Sequence, residues 1–454
     1  MDLVHGDSSL GHSVPDLVIP GLRRNPRRAH LLVSTVLGKH VPTEPSVVIG
    51  AADDLGDLVR TTLGEGVDVV VLGFAETATG LGHCVAARLR AHCYLHSTRR
   101  DVPGATTLAG FEEGHSHATS HLMQPTSAEL FENDLPLVLV DDEISTGATA
   151  IDAIRALHGQ CPRSRYVVAS LVDMRTEEHR AASEAAATEL GVRIDYVSLA
   201  SGSTVLPDGL TERVTALDAP DLNPIGDRRG TLSRMDLPWP AQVPDGGRHG
   251  FLDGDTAAFE SAVAAAVSIL GSSIDASRAV IVIGHEELMY LPLRIAAGLE
   301  SSGRAVRYQT TTRSPAYVVD VPGYPLRRGF TFPAPELGEN EPRYVYNAQW
   351  PDAAVDALAL LVVDEPADTD RLTAMDGVIE VLRNSGTDVL VATVRGADPS
   401  ALRESRAGAR HERTIDRARI RFVRAGRSEV AAQGSFARGS RSGCIRAREA
   451  YSVG

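Results

Sequence analysis

The sequence feature that most constrains the fold is an apolar run that leads into acidic residues and then into small polar ones. Residues 137–140 are a Leu/Val run, Asp141 and Asp142 follow, and residues 145–149 precede a helical pattern from Ala150. A short, fully apolar run is typical of a strand buried on both faces of a parallel sheet. We therefore expect a strand that ends at Val140, at the sheet edge where open α/β folds bind ligands.

This segment also predicts which ligand is bound. Asp141 and Asp142 can accept hydrogen bonds from the vicinal hydroxyls of a sugar and hold Mg²⁺, directly or through water. Hydroxyls and successive backbone N–H groups follow at the helix start, and together they form an anion-binding nest: Ser145, Thr146, Gly147, Ala148 and Thr149. The combination indicates a sugar phosphate. The alternative is a pair of helix-capping aspartates followed by an ordinary turn, whereas a Walker-type loop is excluded because it requires a lysine.

Similar apolar runs alternate with helical patterns along most of the chain, and its 454 residues exceed what one hydrophobic core usually supports. We predict an α/β protein with two tandem domains, each with a mainly parallel sheet flanked by helices. Residues 67–100 and 278–315 share strand, Gly turn, acidic residue, helix, strand and Thr-Arg in the same order. This indicates a duplication with a related, diverged second domain, although two unrelated α/β domains could share that order.

Changes in composition along the sequence set the predicted domain boundaries. A stretch rich in Pro, Gly and Asp separates the two series, and an Arg/Gly/Ser-rich stretch ends the chain. The expected segments are an N-terminal tail (1–20), the first domain (21–215), a linker (216–248), the second domain (249–401) and a disordered tail (402–454). A basic nucleic-acid-binding arm is the alternative for the tail, but no aromatic residues interleave its arginines.

Composition excludes several classes of protein. The net charge of −14 disfavours nucleic-acid binding by the whole chain. We expect no membrane span, because no apolar run is long enough, and no secretion signal, because the N-terminus lacks a basic start and an apolar core. Four cysteines without paired spacing indicate neither a disulfide framework nor a zinc site. The expected compartment is the cytoplasm.

Residues 137–149 resemble the signature of the type I phosphoribosyltransferases, which use it to bind 5-phosphoribosyl 1-pyrophosphate with Mg²⁺. The stretches RNPRRAHLLVSTVLGKHVP, GFAETATGLGH, HSTRRDV and FEEGHSHA extend this to a resemblance to the phosphoribosyltransferase family of tellurite-resistance and stress gene clusters. In the second domain, four residues resemble the motif of the TRSP domain that follows that enzyme: Thr312, Arg313, Ser314 and Pro315.

The resemblance implies roles for further residues. The pyrophosphate-binding set it implies is Ala75, Glu76, Thr77, Arg99, Arg100 and Lys39, and the residues of a mobile hood over the site are Glu113, His115 and His117. Other roles are open for several of these. Glu76 departs from the residue usual there and would equally suit a helix start, while the two arginines could form a solvated turn. Lys39 could be an exposed helix lysine, and the two histidines could be metal ligands.

The function that these features imply is transfer of phosphoribose from 5-phosphoribosyl 1-pyrophosphate to a nucleobase-like acceptor, within a stress-associated pathway. The alternatives are a non-catalytic sensor of the same ligand and an enzyme that works in the reverse direction. In the second domain, Asp364-Glu365 stands where Asp142-Glu143 stands in the first, but acidic residues replace the phosphate nest. We expect that domain to have lost the substrate. A homodimer is one compatible assembly.

Overall fold

The computed structural model describes residues 1–25, 28–100, 102, 105–112, 120–352 and 354–408. Residues Met1–Leu402 form one compact unit, and both predicted α/β domains lie within it. A second unit, Arg403–Gly454, is described only over residues 403–408, which are helical. The predicted disorder of the tail therefore concerns residues that lie mostly outside the described part of the chain.

The first half of the chain alternates strands and helices. Its strands are β1 (Asp2–Ser8), β2 (Val18–Leu22), β3 (His30–Ser34), β4 (Val70–Gly73), β5 (Cys93–His96), β6 (Ala109–Glu112), β7 (Ser120–Met123), β8 (Leu137–Ile144), β9 (Arg165–Asp173) and β10 (Arg193–Val205). Its helices are α1 (Val14–Leu17), α2 (Pro45–Leu63), α3 (Thr79–Leu89), α4 (Ala148–Gln160), α5 (Glu177–Leu190) and α6 (Leu210–Thr215).

The second half repeats the alternation with fewer elements. Its strands are β11 (Leu232–Leu237), β12 (Phe251–Leu252), β13 (Ala279–Gly284), β14 (Val306–Thr310), β15 (Gly329–Pro333), β16 (Pro342–Tyr346), β17 (Ala357–Asp364) and β18 (Asp388–Val394). Its helices are α7 (Thr256–Ser273), α8 (Tyr290–Ser301) and α9 (Val378–Asn384).

The predicted apolar runs of each half lie in one sheet, and β12 of the second half joins the sheet of the first. The first sheet has the order β1-β10-β9-β8-β4-β5-β12, and the second has the order β11-β18-β17-β13-β14. The second sheet is parallel throughout, and the first is parallel except for its two edge strands, β1 and β12. Val/Leu runs such as residues 137–140 are buried because helices cover both faces. The predicted fold class is confirmed.

The two sheets share one topology. Strands β9-β8-β4-β5 occupy the same order as β18-β17-β13-β14, and an antiparallel hairpin, β6–β7 or β15–β16, is inserted between the second and third strands of each series. The register also matches, because Gly73 pairs with Val140 in the first sheet as Gly284 pairs with Val362 in the second. Asp364 therefore stands at the position of Asp142, which supports a duplicated origin.

Three segments differ from the predicted organisation. The expected N-terminal tail, residues 1–20, contains β1, which pairs with β10, and α1. The expected linker, residues 216–248, contains β11, which pairs with β18 in the second sheet. Phe251–Leu252, placed in the second domain by sequence, pairs with β5 of the first sheet. The patterns of β1 and β11 were missed because both lie at sheet edges, where Leu237 is their only buried residue.

Helix α2 illustrates how local sequence sets the helix bounds. Pro45 occupies its first turn, where a missing N–H costs nothing, and Gly64 follows its end with a positive φ.

Among the described residues, Asp253–Ser273 is the one helical stretch long and apolar enough, by length and composition alone, to cross a membrane. In the structure its helix α7 packs on α8 through Phe259, Val263 and Leu270.

Candidate functional site

The carboxyl ends of β4, β5 and β8 meet beside a cavity of about 520 Å³. We call this space the cavity. Most predicted binding residues line it: Lys39, Ala75, Glu76, Thr77, Arg99, Asp141, Asp142, Ser145, Thr146, Gly147 and Thr149. Ala148 begins helix α4 at the same place. The structure thus brings together side chains that are far apart in the sequence, at the sheet edge where α/β proteins bind ligands.

The acidic loop differs slightly from the prediction. Strand β8 continues past Val140 to Ile144, and helix α4 begins at Ala148 instead of Ala150. Asp141 and Asp142 are partly buried, and Asp141 accepts a hydrogen bond from the Asp142 backbone N–H at 2.9 Å. Burial raises the pKa of Asp142, an effect that the positive charge of Lys39 opposes. The two carboxylates are therefore held side by side and close to a cation.

The turn predicted to bind an anion leads directly into α4. Gly147 has a φ of +81° and caps the helix, a conformation that L side chains rarely adopt. The Ala148 N–H donates to the Thr146 hydroxyl at 3.3 Å, so the first turn of α4 is shaped by the segment itself. The unpaired N–H groups of a helix start attract an anion such as phosphate.

Lys39, the single lysine of the sequence, lies in the loop between β3 and α2 and not on a helix. Its Nζ donates to the Thr77 hydroxyl at 2.7 Å, and its charge acts on Asp142. Lys39 therefore links the loop after β4 to the loop after β8.

Glu76 contacts the second domain, a role that the sequence did not suggest. Its side chain is only 6% exposed, and it accepts hydrogen bonds from the Thr312 hydroxyl and, at 2.9 Å, from the Arg313 backbone N–H. Glu76 thus binds the TRSP motif of the second domain. The neighbouring Ala75 N–H donates to the Ser97 hydroxyl at 2.9 Å, and the peptide bond between Ala75 and Glu76 is cis.

The two adjacent arginines point to different sites. Arg99 lines the cavity and donates through Nη2 to the Ala75 carbonyl at 3.3 Å. Arg100 turns into the second domain, where it forms ion pairs with Glu336 and with Asp364 at 3.0 Å. The expectation that Arg100 belongs to the pyrophosphate site is therefore wrong. The backbone bends at these two residues, and of the two only Arg99 lines the cavity.

Other residues that line the cavity were not predicted. The second domain supplies Arg313, Ser314, Pro315, Glu341, Pro342 and Tyr344, and the segment around β2 and β3 supplies Arg23, Asn25, Arg28, Leu31 and Leu32. Arg28 is ion-paired with Glu143 of the acidic loop. Sequence alone identified the TRSP motif but not the residues of the first domain that it contacts. The predicted hood residues Glu113, His115 and His117 lie outside the described residues.

In the second domain, ion pairs occupy the place that corresponds to the cavity. Arg100 and Arg313 contact Glu286, which is fully buried, at 3.7 and 3.0 Å, and Arg343 is also paired with it. Within the described residues, the one acidic and histidine group compact enough to hold a metal ion is His285, Glu286 and Glu336. Its carboxylates are already neutralised by arginines, which disfavours a cation there.

The strand order, the acidic pair and the anion nest together define a domain of the phosphoribosyltransferase type. Residues 17–203 match the family described as phosphoribosyl transferase, and residues 245–382 match the TRSP domain that lies C-terminal to it. The chain therefore belongs to the family in which a phosphoribosyl transferase domain is followed by a TRSP domain. A search of curated proteins finds no match.

Solved structures similar to the chain include adenine phosphoribosyltransferases. The enzyme from Trypanosoma brucei is 16% identical, with a TM-score of 0.33, and the match covers 47% of this chain and 99% of that one. The enzyme from Leishmania tarentolae is 15% identical, with a TM-score of 0.32, and the match covers 47% and 98%. The assignment to the family rests on the two family matches and not on these low scores.

Proposed function

We propose that this protein transfers phosphoribose from 5-phosphoribosyl 1-pyrophosphate to a nucleobase-like acceptor. The observation that carries the proposal is that one cavity is lined by an acidic pair, by the turn that begins α4, and by the cations Lys39 and Arg99. A ligand that presents a diol between a monophosphate and a pyrophosphate suits these three groups in one pose. The family assignment supports the same class of reaction.

Each part of the ligand has a matching set of residues. The turn formed by residues 145–149 would hold the 5-phosphate through backbone N–H groups and hydroxyls. Asp141 and Asp142 would accept hydrogen bonds from the ribose hydroxyls. Lys39 and Arg99, on either side of the loop of residues 75–77, would bind the pyrophosphate, where a guanidinium can contact two oxygens at once.

The acidic pair also fits Mg²⁺. Hard oxygen ligands at the edge of a cavity suit this ion, which usually binds proteins through one or two carboxylates plus substrate oxygens. When bound, Mg²⁺ would offset the negative charge of the pyrophosphate. The carboxylates of Asp141 and Asp142 would hold it, directly or through water.

In the proposed reaction, the bond between the anomeric carbon and the pyrophosphate oxygen breaks, and pyrophosphate leaves with the electron pair. A ring nitrogen of the acceptor forms the new bond to that carbon and loses its proton to solvent or to the leaving group. Lys39 and Arg99 would stabilise the departing charge, and the fixed ribose would keep the carbon in line with the acceptor. Positioning and electrostatics, with no covalent nucleophile, would supply the rate.

The first prediction tests the acidic pair. We expect the double variant Asp141→Asn/Asp142→Asn to lower kcat/KM by roughly 100-fold or more, because both the diol contacts and the Mg²⁺ ligands are weakened. Release of pyrophosphate should be measured with the full chain across purines, pyrimidines and related heterocycles. Asp152→Asn, on the exposed face of α4, is the matched control. Unchanged turnover in the double variant would refute the proposed roles.

A non-catalytic sensor of the same ligand is the second candidate. The dense hydrogen bonding between Glu76 and the second domain favours it, because a ligand that contacts the loop of residues 75–77 would also act on that domain. Magnesium-dependent binding of 5-phosphoribosyl 1-pyrophosphate without pyrophosphate release, in either direction and with any acceptor, would favour the sensor. Turnover with any acceptor would exclude it.

We also propose, from the resemblance alone, that the activity serves tellurite resistance or another stress response, and, from the character of the N-terminal sequence, that it is cytoplasmic. Deleting the gene should then lower the tellurite concentration that stops growth, and the wild-type gene should restore resistance while the double aspartate variant should not. Sedimentation of the purified chain would test whether it forms a homodimer.

A further inference from the structure

The two domains contact each other through reciprocal hydrogen bonds. Glu76 lies three residues beyond Gly73 at the end of β4, and Glu287 lies three residues beyond Gly284 at the end of β13. Glu287 accepts hydrogen bonds from the Thr98 hydroxyl and from the Arg99 backbone N–H, both at 2.7 Å. Glu76 accepts the equivalent bonds from Thr312 and Arg313.

The reciprocity extends to the supporting contacts. The Ala75 N–H donates to the Ser97 hydroxyl, and the Glu286 N–H donates to the Thr311 hydroxyl at 3.0 Å. Each domain thus presents a Thr-Arg pair to the glutamate of the other, as the subunits of a two-fold symmetric dimer do. The corresponding arginines are Arg99 and Arg313.

Arg313 reaches the cavity of the first domain. Glu76, in the loop of residues 75–77, accepts a hydrogen bond from the Arg313 backbone N–H. Arg313 also lines the cavity, together with residues of the first domain. Its side chain is 12% exposed, and Glu286 orients the guanidinium by accepting from Nη2 at 3.0 Å and from Nε at 3.3 Å. Nη1 also forms a longer ion pair with Glu339 at 3.6 Å. A guanidinium has five N–H donors, of which the two hydrogen bonds to Glu286 use two, so N–H groups remain for an anion.

We propose that the second domain completes the active site by supplying Arg313, which binds the pyrophosphate group together with Arg99. The proposal rests on the proposed function. It assigns the TRSP motif a direct role: Thr312 docks the motif on Glu76, Arg313 contacts the ligand, and Glu286 is a positioning residue. The arginine pair of the site comes from two domains and not from the adjacent residues Arg99 and Arg100.

The second domain then needs no substrate of its own. Its equivalent cleft is closed by Arg100, which is 10% exposed and paired with Asp364, the counterpart of Asp142. In the second domain, ion-paired side chains thus fill the site that corresponds to the cavity. The same ion pairs include Glu286, which in turn holds Arg313.

The test uses the full chain and three probes with Mg²⁺: 5-phosphoribosyl 1-pyrophosphate, inorganic pyrophosphate and ribose 5-phosphate, each titrated by calorimetry. We expect Arg313→Ala to weaken binding of the first two by roughly 10- to 100-fold, because a charge-assisted hydrogen bond is lost. Affinity for ribose 5-phosphate should change by less than about twofold. Arg313→Lys should recover part of the lost affinity. Glu286→Gln should weaken pyrophosphate binding by an intermediate factor and leave ribose 5-phosphate binding unchanged. A merely structural role of Glu286 would instead weaken binding of all three probes.

Arg327→Ala is the matched control. Arg327 forms an exposed ion pair with Asp320 and does not line the cavity, so its loss should leave pyrophosphate affinity within about threefold. Arg313→Ala should keep its fold because Arg343 still neutralises Glu286. Unchanged pyrophosphate affinity in Arg313→Ala, with normal binding in the wild type, would overturn this inference alone. Failure of the wild type to bind either sugar phosphate would overturn the proposed function and this inference with it.

Discussion

At the scale of single residues, the three cations proposed to bind pyrophosphate come from three separate parts of the chain. Lys39 follows β3, Arg99 follows β5 and Arg313 follows β14, and each is held by a partner other than the substrate. Such anchoring lowers the entropy lost when a ligand binds, because the side chains are already ordered. The site is therefore largely preformed on the protein side.

Lys39 allows a direct chemical test because the sequence contains no other lysine. An amine-reactive acylating reagent should modify Lys39 in addition to the N-terminal amine, and 5-phosphoribosyl 1-pyrophosphate with Mg²⁺ should slow modification of Lys39 alone. Peptide mapping by mass spectrometry distinguishes the two amines. Lys39→Met should weaken binding of the same ligand roughly 10-fold or more, since a charge-assisted contact is lost.

The matched control for this experiment is Lys39→Arg, which keeps the positive charge but cannot be acylated. It should retain most of the affinity and show modification only at the N-terminus. Equal modification rates of Lys39 with and without ligand would contradict a position beside the phosphates.

Sequence placed the acidic pair and the turn before α4 at the sheet edge because both are local: each consists of adjacent residues. Sequence could not show which of Arg99 and Arg100 faces the cavity, because that depends on the orientation of the backbone after β5. It also could not find the partner of Glu76, because Thr312 and Arg313 are more than 200 residues away and contact it only through domain packing.

At the scale of secondary structure elements, the turn into α4 carries a second prediction. Gly147→Ala should destabilise the protein by about 1–3 kcal/mol, because the φ of +81° is unfavourable for alanine. The added Cβ would also lie 3.2 Å from Arg175 Cδ. Affinity for ribose 5-phosphate should fall with it. Urea unfolding and calorimetry are the measurements.

Helix α4 provides its own control at Gly159. A Cβ added there meets nothing within 4 Å and the backbone is helical, so Gly159→Ala should leave stability unchanged or raise it by up to about 1 kcal/mol. Ribose 5-phosphate affinity should not change. Equal behaviour of the two alanine variants would show that the conformation of Gly147 is not required.

The elements themselves were predictable to different degrees. Buried strands such as β8, β9, β13 and β17 were found because a Val/Leu run has few other structural uses. Strands β1 and β11 were missed because an edge strand with mostly exposed side chains carries no apolar pattern. β12 has only two residues and depends on its pairing with β5. Elements defined by tertiary pairing leave little trace in local sequence.

At the scale of the whole molecule, buried carboxylates join the two domains. Glu287 is 1% exposed at its side chain, and burial alone would raise its pKa. The positive charges of Arg248 and Arg100 outweigh that effect and lower the pKa well below its usual value of about 4.5. The folded state therefore binds the ionised form of Glu287 more tightly than the unfolded state does.

This gives a prediction for acid stability. A lowered folded-state pKa stabilises the protein above the unfolded pKa, so the contribution should be lost as pH falls below about 4.5. We expect the urea midpoint of the wild type to fall from pH 5 towards pH 3. Glu287→Gln should have a lower midpoint at pH 7 and a flatter pH dependence. Asp320→Asn, at an exposed ion pair with Arg327, should follow the wild type.

The pairing of β12 with β5 has a consequence for how this protein is made. The edge of the first sheet at β5 pairs with Phe251–Leu252, which a ribosome delivers long after the other strands of that sheet. Until then the nascent first domain presents an open strand edge to other chains, the kind of surface that promotes misassembly. Truncated chains that stop before residue 251 should therefore aggregate during translation more readily than the complete chain.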